Sequence, residues 1–318
     1  MYPYATFHFL HTMRSAAGID WANRWSQMRN YPNWFDWMKI PGNGALVTYG
    51  IGDMAHGGNR LDTHQMYTHM AQTIHFYPEK AELARQLIAV LPEKQRRFHS
   101  FFPFLPFILT GFSEQELPTA PTQEAKPEAA FFPAFGLVFS RSGNRVEDTY
   151  AMFRAGARYG NHQHYDENSF VIFKHDFLAL DAGSRTKSAH HCMFAPQSVA
   201  HNTVLIHMDN EPMPPFWKPW GSTAEAIPEN IPCHGGQYKT TGAKHLAFRS
   251  TPEYTFAAND ATGVYRPEKC RRAVRRFVHL QPDVFVIFDQ VESVKPEQAK
   301  EYLLHVQNEP VACGERTF

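Results

Sequence analysis

Ser169-Phe170-Val171-Ile172-Phe173-Lys174-His175-Asp176-Phe177-Leu178-Ala179-Leu180-Asp181-Ala182-Gly183 holds two short apolar runs, Ser169–Lys174 and Phe177–Asp181, bounded by polar and turn-forming residues. The pattern recurs through the second half of the chain, at Phe135–Arg141, Thr149–Arg154, Thr203–His207, Ala273–Leu280 and Val284–Asp289. Lys300–Val306 reads as one more strand. Runs this short and this frequent predict an antiparallel sandwich rather than βαβ units.

Upstream the pattern changes. Segments near Tyr4–Ala17, Asp62–Phe76 and Glu79–Phe101 carry apolar residues at three- and four-residue spacing, which predicts helices. A glycine-rich stretch, Tyr49–Gly58, reads as a turn cluster, since it lacks the preceding strand and the lysine of a phosphate loop. Residues 113–130 are rich in Pro, Glu, Thr and Ala and read as a linker. The expected organisation is a helical part over 1–112, a linker over 113–133 and a β domain over 134–318. No basic stretch followed by a short apolar one marks a signal peptide after Met1. Both ends read as abrupt, so the expectation is a piece of a longer protein.

Composition narrows the function. The 318 residues include Lys+Arg 31 against Asp+Glu 31, so no overall basic field favours nucleic acid. With 43% hydrophobic and 14% aromatic residues, wholesale disorder is excluded. No apolar run approaches the roughly 18–20 residues of a membrane span. Cys192, Cys233, Cys270 and Cys313 lie far apart, which excludes a disulfide framework or a common cysteine zinc motif. With His 18, a site built on imidazole is the better expectation.

One region concentrates such residues: Tyr159-Gly160-Asn161-His162-Gln163-His164-Tyr165-Asp166-Glu167-Asn168, then Leu180-Asp181-Ala182-Gly183, then Val199-Ala200-His201-Asn202-Thr203. In extended chain alternate residues share a face, so His162 and His164 point the same way. Asp181 ends one apolar run and His201 begins the next. Imidazoles and a carboxylate converging from strand ends can form a zinc site. The alternative is a set of satisfied polar residues at strand ends.

These motifs, in this order and spacing, resemble the heparinase II/III-like polysaccharide lyases. The resemblance is strongest over Gly136–Ile206 and mostly architectural in the helical part. It implies an α+β multidomain fold: the last part of an α/α toroid, followed by a large, here incomplete, antiparallel β-sandwich. It also implies an acidic, uronate-containing polysaccharide bound in the cleft between them. By position, His164, Asp181 and His201 match the family's zinc ligands. His162 matches its cleft histidine, with Asn161 as polar neighbour. Tyr4 is the best match to the catalytic tyrosine, with Tyr2 close behind. The family's further carboxylate-neutralising Asn or His stands upstream of the point where this sequence begins. Enzymes of this kind act outside the cytoplasm, on polymers such as glycosaminoglycans or alginate.

The chemistry so implied is β-elimination. A base removes the C5 proton of a uronate and an acid assists departure of the C4 oxygen. That requires donors on the substrate carboxylate, because charge develops there as an enolate-like state forms. Asn161 can supply one donor, while His162 and Tyr4 can accept and donate protons. With His164 as a ligand, zinc is expected to lock the strand that presents His162, a structural role. Two other readings stay open: a non-catalytic carbohydrate-binding protein of the same fold, and a hydrolytic or cupin-like metalloenzyme. Minor features have bland expectations. His190-His191 reads as surface, Glu211–Trp220 as a rigid Pro-aromatic connection, and Lys269–Arg276 as a solvated face with edge protection.

Overall fold

The computed structural model describes residues 3–42, 63–91, 93, 96, 128–156, 163–183, 193–213 and 231–314. The chain divides into two compact units, Met1–Val47 with Asn59–Glu124, and Thr48–Gly58 with Ala125–Phe318.

The first unit is helical: α1 (Pro3–Ala17), α2 (Ser26–Arg29), α3 (Tyr31–Met38), α4 (Thr63–Phe76) and α5 (Ala81–Ala89). Its core joins Phe7 and Leu10 of α1 to Ala22, Met28, Phe76 and Tyr77. The Tyr77 hydroxyl donates to Ala22 O at 3.0 Å, so this buried phenol has its partner. α3 begins with Pro32 in its first turn, where a missing N–H costs nothing. The helix expected over Glu79–Phe101 is shorter. A 3-10 turn at Pro78–Lys80 precedes α5, which ends at Ala89. Pro92 explains the stop, because the residue before a proline is biased away from the helical region. Among the described residues no helix is long and apolar enough to cross a membrane.

The second unit is antiparallel throughout. Its strands are β1 (Glu128–Phe132), β2 (Leu137–Arg141), β3 (Tyr150–Arg154), β4 (Phe170–Lys174), β5 (Asp176–Ala179), β6 (Val204–Ile206), β7 (Lys244–Ser250), β8 (Tyr254–Asp260), β9 (Cys270–Leu280), β10 (Val284–Ser293) and β11 (Lys300–Tyr302). They form a five-stranded sheet in the order β1-β2-β3-β4-β5, a four-stranded sheet in the order β10-β9-β8-β7, and the pair β11-β6. The two larger sheets share one core. Val138, Ala151, Phe153, Phe170, Ile172 and Ala179 of the first meet Ala257 and Phe277 of the second, with Phe248, Phe285 and Ile287 against them. Phe153 and Phe277 stack across that interface at 5.2 Å, with planes 5° apart. Burying one such ring contributes roughly 1.5–3 kcal/mol. This is the expected α part followed by a β-sandwich.

Three details differ from the sequence reading. β1 lies inside the stretch read as linker, while 113–127 falls outside the described residues. β7 and β8 were not anticipated; Ala, Thr, Asn and Lys dilute their apolar signal. The basic run is a solvated face only in part, and not an edge: Arg271 and Arg272 are exposed, but β9 is an interior strand, and Lys269 and Arg275 are fully buried.

Candidate functional site

Asp181 follows β5, and its Oδ1 accepts the Gly183 N–H at 2.8 Å, a local turn typical of aspartate. That bond fixes the carboxylate plane and aims Oδ2 at His201 Nδ1, 2.6 Å away. His201 leaves a 3-10 turn, Ser198–Ala200, in extended conformation. The two segments are also tied by the Ala182 N–H, which donates to Ala200 O at 3.1 Å. Gly183 cannot carry a side chain here: a Cβ would stand 2.4 Å from His201 Cε1 and 2.3 Å from Ala195 O. The glycine therefore permits the close approach that seats the imidazole.

His164 and Asp166 come from the loop between β3 and β4, and both are buried. The His164 ring lies 5.2 Å from that of His201, centroid to centroid. Asp166, Asp181 and His201 each offer a ligand atom within 4.8 Å of the others. Asp166 Oδ1 is 3.0 Å from Arg154 Nε, and Glu167 Oε1 is 3.6 Å from the same nitrogen. Asp166 Oδ2 accepts no hydrogen bond among the described residues, and the buried His201 Nε2 has no hydrogen-bond partner among them.

The electrostatics are those of a buried, carboxylate-rich cluster. Burial works to lower the His201 pKa, but the Asp181 carboxylate, with help from Asp166, outweighs it and the net shift is upward. Burial pushes Glu167 up to about 7 against the pull of Arg154. Asp166 and Glu167 thus share Arg154 as a nearby fixed cation, while Asp181 lies against His201. Carboxylates in excess, with imidazoles beside them, make a donor set that fits a zinc-type cation. An imidazole that donates one N–H to a carboxylate is also oriented to offer its other nitrogen to a metal. The 2.6 Å His201–Asp181 separation is that of a hydrogen bond; two tetrahedral zinc ligands stand about 3.3 Å apart.

The structure therefore brings Asp181 and His201 together, sets the His164 ring beside His201, and adds Asp166. Asp166 was legible in principle, since it stands two residues after His164 and so shares its face in extended chain. Asn161 and His162 lie outside the described residues, as do Tyr2, the stretch Tyr49–Gly58, His190-His191 and 214–220. Tyr4 sits in the first turn of α1, with its side chain outside the described set.

Comparison with known proteins comes to the same region. The family described as heparinase II/III-like, C-terminal, matches residues 124–312. No curated protein matches in sequence. Among solved structures, a heparinase III aligns at 12% identity with a TM-score of 0.54, covering 85% of this chain and 34% of its own. A second heparinase III aligns at 12% identity and 0.57, covering 89% and 35%. The heparan sulfate lyase HepC from Pedobacter heparinus aligns at 11% and 0.52, covering 83% and 32%. The chain spans about a third of the length of these enzymes. At such identities the likeness is one of fold.

Proposed function

This chain belongs to the heparinase II/III-like family through its C-terminal domain, and we propose that it is a polysaccharide lyase, or part of one. Its substrate would be a uronate-containing acidic polysaccharide such as a glycosaminoglycan or alginate, cleaved by β-elimination outside the cytoplasm. The observation that carries the reading is the buried convergence of Asp181, His201 and Asp166 beside His164, within the stretch that the family matches.

In this reading His164, Asp181 and His201 hold zinc, with Asp166 as a further carboxylate within reach. A bound zinc supplies positive charge that compensates the buried carboxylates and fixes the loop between β3 and β4. His162, two residues before His164, then accepts the proton that leaves uronate C5, as the C4=C5 bond forms and the C4–O bond breaks. Asn161 donates to the substrate carboxylate, which lowers the cost of charge developing there. Tyr4 protonates the leaving C4 oxygen. A phenol titrates near 10 in water, so it is an acid at neutral pH without further tuning.

The test is formation of an unsaturated uronate, read by its ultraviolet absorbance, on a panel of acidic polymers. H162A should abolish it while zinc content holds, and Y4F should slow it by about 10²–10⁴-fold with little change in polymer affinity. Polymer binding without new absorbance would instead mark a non-catalytic carbohydrate-binding protein. Chelator-sensitive hydrolysis of neutral esters would mark a metallohydrolase.

A further inference from the structure

Asn202 follows His201 directly and is buried, with 1% of its surface exposed. Its carboxamide is fully engaged. Nδ2 donates to Phe170 O at 2.8 Å and to Leu180 O at 3.0 Å, while Oδ1 accepts the His305 N–H at 2.6 Å. Leu180 immediately precedes Asp181. Phe170 opens β4, where the loop bearing His164 and Asp166 ends. His305 O accepts the Leu180 N–H at 3.0 Å, which closes the ring of contacts.

The backbone is held as well. Arg275 Nη1 donates to Asn202 O at 2.5 Å and to Asn168 O at 2.6 Å. Arg275 is itself fixed by both Asp289 oxygens, at 2.7 Å each. The four-stranded sheet, through β9 and β10, thus braces the loops that carry the site.

We propose that Asn202 is a positioning residue for the metal site, an inference that rests on the metal reading above. Its carboxamide sets the spacing between the chain segments bearing Asp181, His201 and the β3–β4 loop, before any ion arrives. The chemistry is specific to this side chain. One short group must present two N–H donors to two carbonyls and an acceptor to a backbone N–H. An ionised aspartate has no donors, alanine has none, and serine is too short to span the gap.

The test compares zinc affinity, by competition with a chromogenic chelator, in the unaltered chain, N202A, N202S and S140A. Ser140 is a control: it is buried in the same sandwich, bonded to Thr255 at 3.0 Å and His279 at 2.8 Å, and touches no candidate ligand. N202A and N202S should bind zinc roughly 10–100-fold more weakly, the usual effect of losing an outer-sphere partner. S140A should melt earlier yet bind as the unaltered chain does. A second readout is the His201 Nδ1 proton resonance in zinc-free protein, which should shift or broaden in N202A and N202S. Unchanged affinity together with an unmoved resonance would overturn the proposal, as would equal loss of affinity in S140A. If the unaltered chain binds no zinc, the metal reading fails by itself, and the resonance alone decides the positioning role. If N202A does not fold, N202S carries the comparison.

Discussion

Glu211 and Asp166 are both buried carboxylates of the sheet-rich unit, and their surroundings differ in one respect. Glu211 meets Lys269 Nζ at 2.6 Å and Arg266 Nε at 3.2 Å, and Lys269 also donates to Gly236 O at 2.6 Å. In that cluster one carboxylate faces two cations, so its charge is compensated by its own residues. Asp166 instead shares Arg154 with Glu167 and lies close to Asp181. Buried charge of one sign is costly unless protonation or a counter-ion offsets it. Glu167, pushed up to about 7, takes the first route. A bound cation would be the second. Burial alone does not distinguish a structural ion pair from a site; the balance of charge does.

The comparison breaks most sharply at His201. Removing this imidazole should abolish stoichiometric zinc in metal analysis, as should the H164A and H201A pair together. Full retention of zinc in both would remove the metal site from the picture.

Next in size is a contrast between the clusters. K269A removes the fully buried partner of Glu211, leaving it Arg266, and should cost on the order of 3–5 kcal/mol in denaturant unfolding, with or without chelator. D166N relieves a like-charge excess but leaves Arg154 with Glu167, so it should cost less zinc-free stability than K269A while weakening zinc binding. Equal destabilisation by both would mean that the clusters do not differ as described.

The pH dependence sharpens the same point. Glu167 is raised from 4.5 to about 7, so the folded state holds its proton more tightly than the unfolded one. Its stabilising contribution is complete below about 4.5 and is lost as pH rises through about 7. The upward shift of His201 acts in the same direction. In chelator, unfolding free energy should therefore decline across that window, and E167Q should flatten the decline. An unchanged slope in E167Q would assign the titration to other groups.

The smallest expected effect is at Gly183. G183A places a methyl group against His201 Cε1 and Ala195 O, a clash worth about 1–3 kcal/mol. Zinc affinity should fall along with melting temperature. Full affinity in G183A would show that the imidazole has room to move.

Much of the strand pattern was legible. Where a strand is a compact apolar run, as at Phe170–Lys174 or Val284–Ser293, the reading found it. It missed β7 and β8, and the buried residues of β8 include Thr255, Ala257 and Ala258, too small to stand out from a polar sequence. The helices α2 and α3 escaped for a related reason. Four tryptophans, Trp21, Trp25, Trp34 and Trp37, crowd a short polar stretch without a clean helical period. In the site, Asp181 and His201 were read from strand ends and Asp166 was passed over, although it follows His164 at the same two-residue spacing that linked His162 to His164.

Sequence alone determined the class of fold and the order of helical part and sandwich, since periodicity and turn residues are local properties of the chain. It could not decide the partners. Arg275 reads as one of several basic residues on a strand, and only packing takes its guanidinium from solvent and sets it on Asp289, Asn168 O and Asn202 O. Asn202 reads as the neighbour of a histidine, and only the fold brings Leu180 O, Phe170 O and the His305 N–H within reach of one carboxamide. The physical reason is common to both. A buried polar group must find hydrogen-bond partners wherever the chain places them, and here those partners are 22, 32 and 103 residues away, distances over which local pattern carries no information.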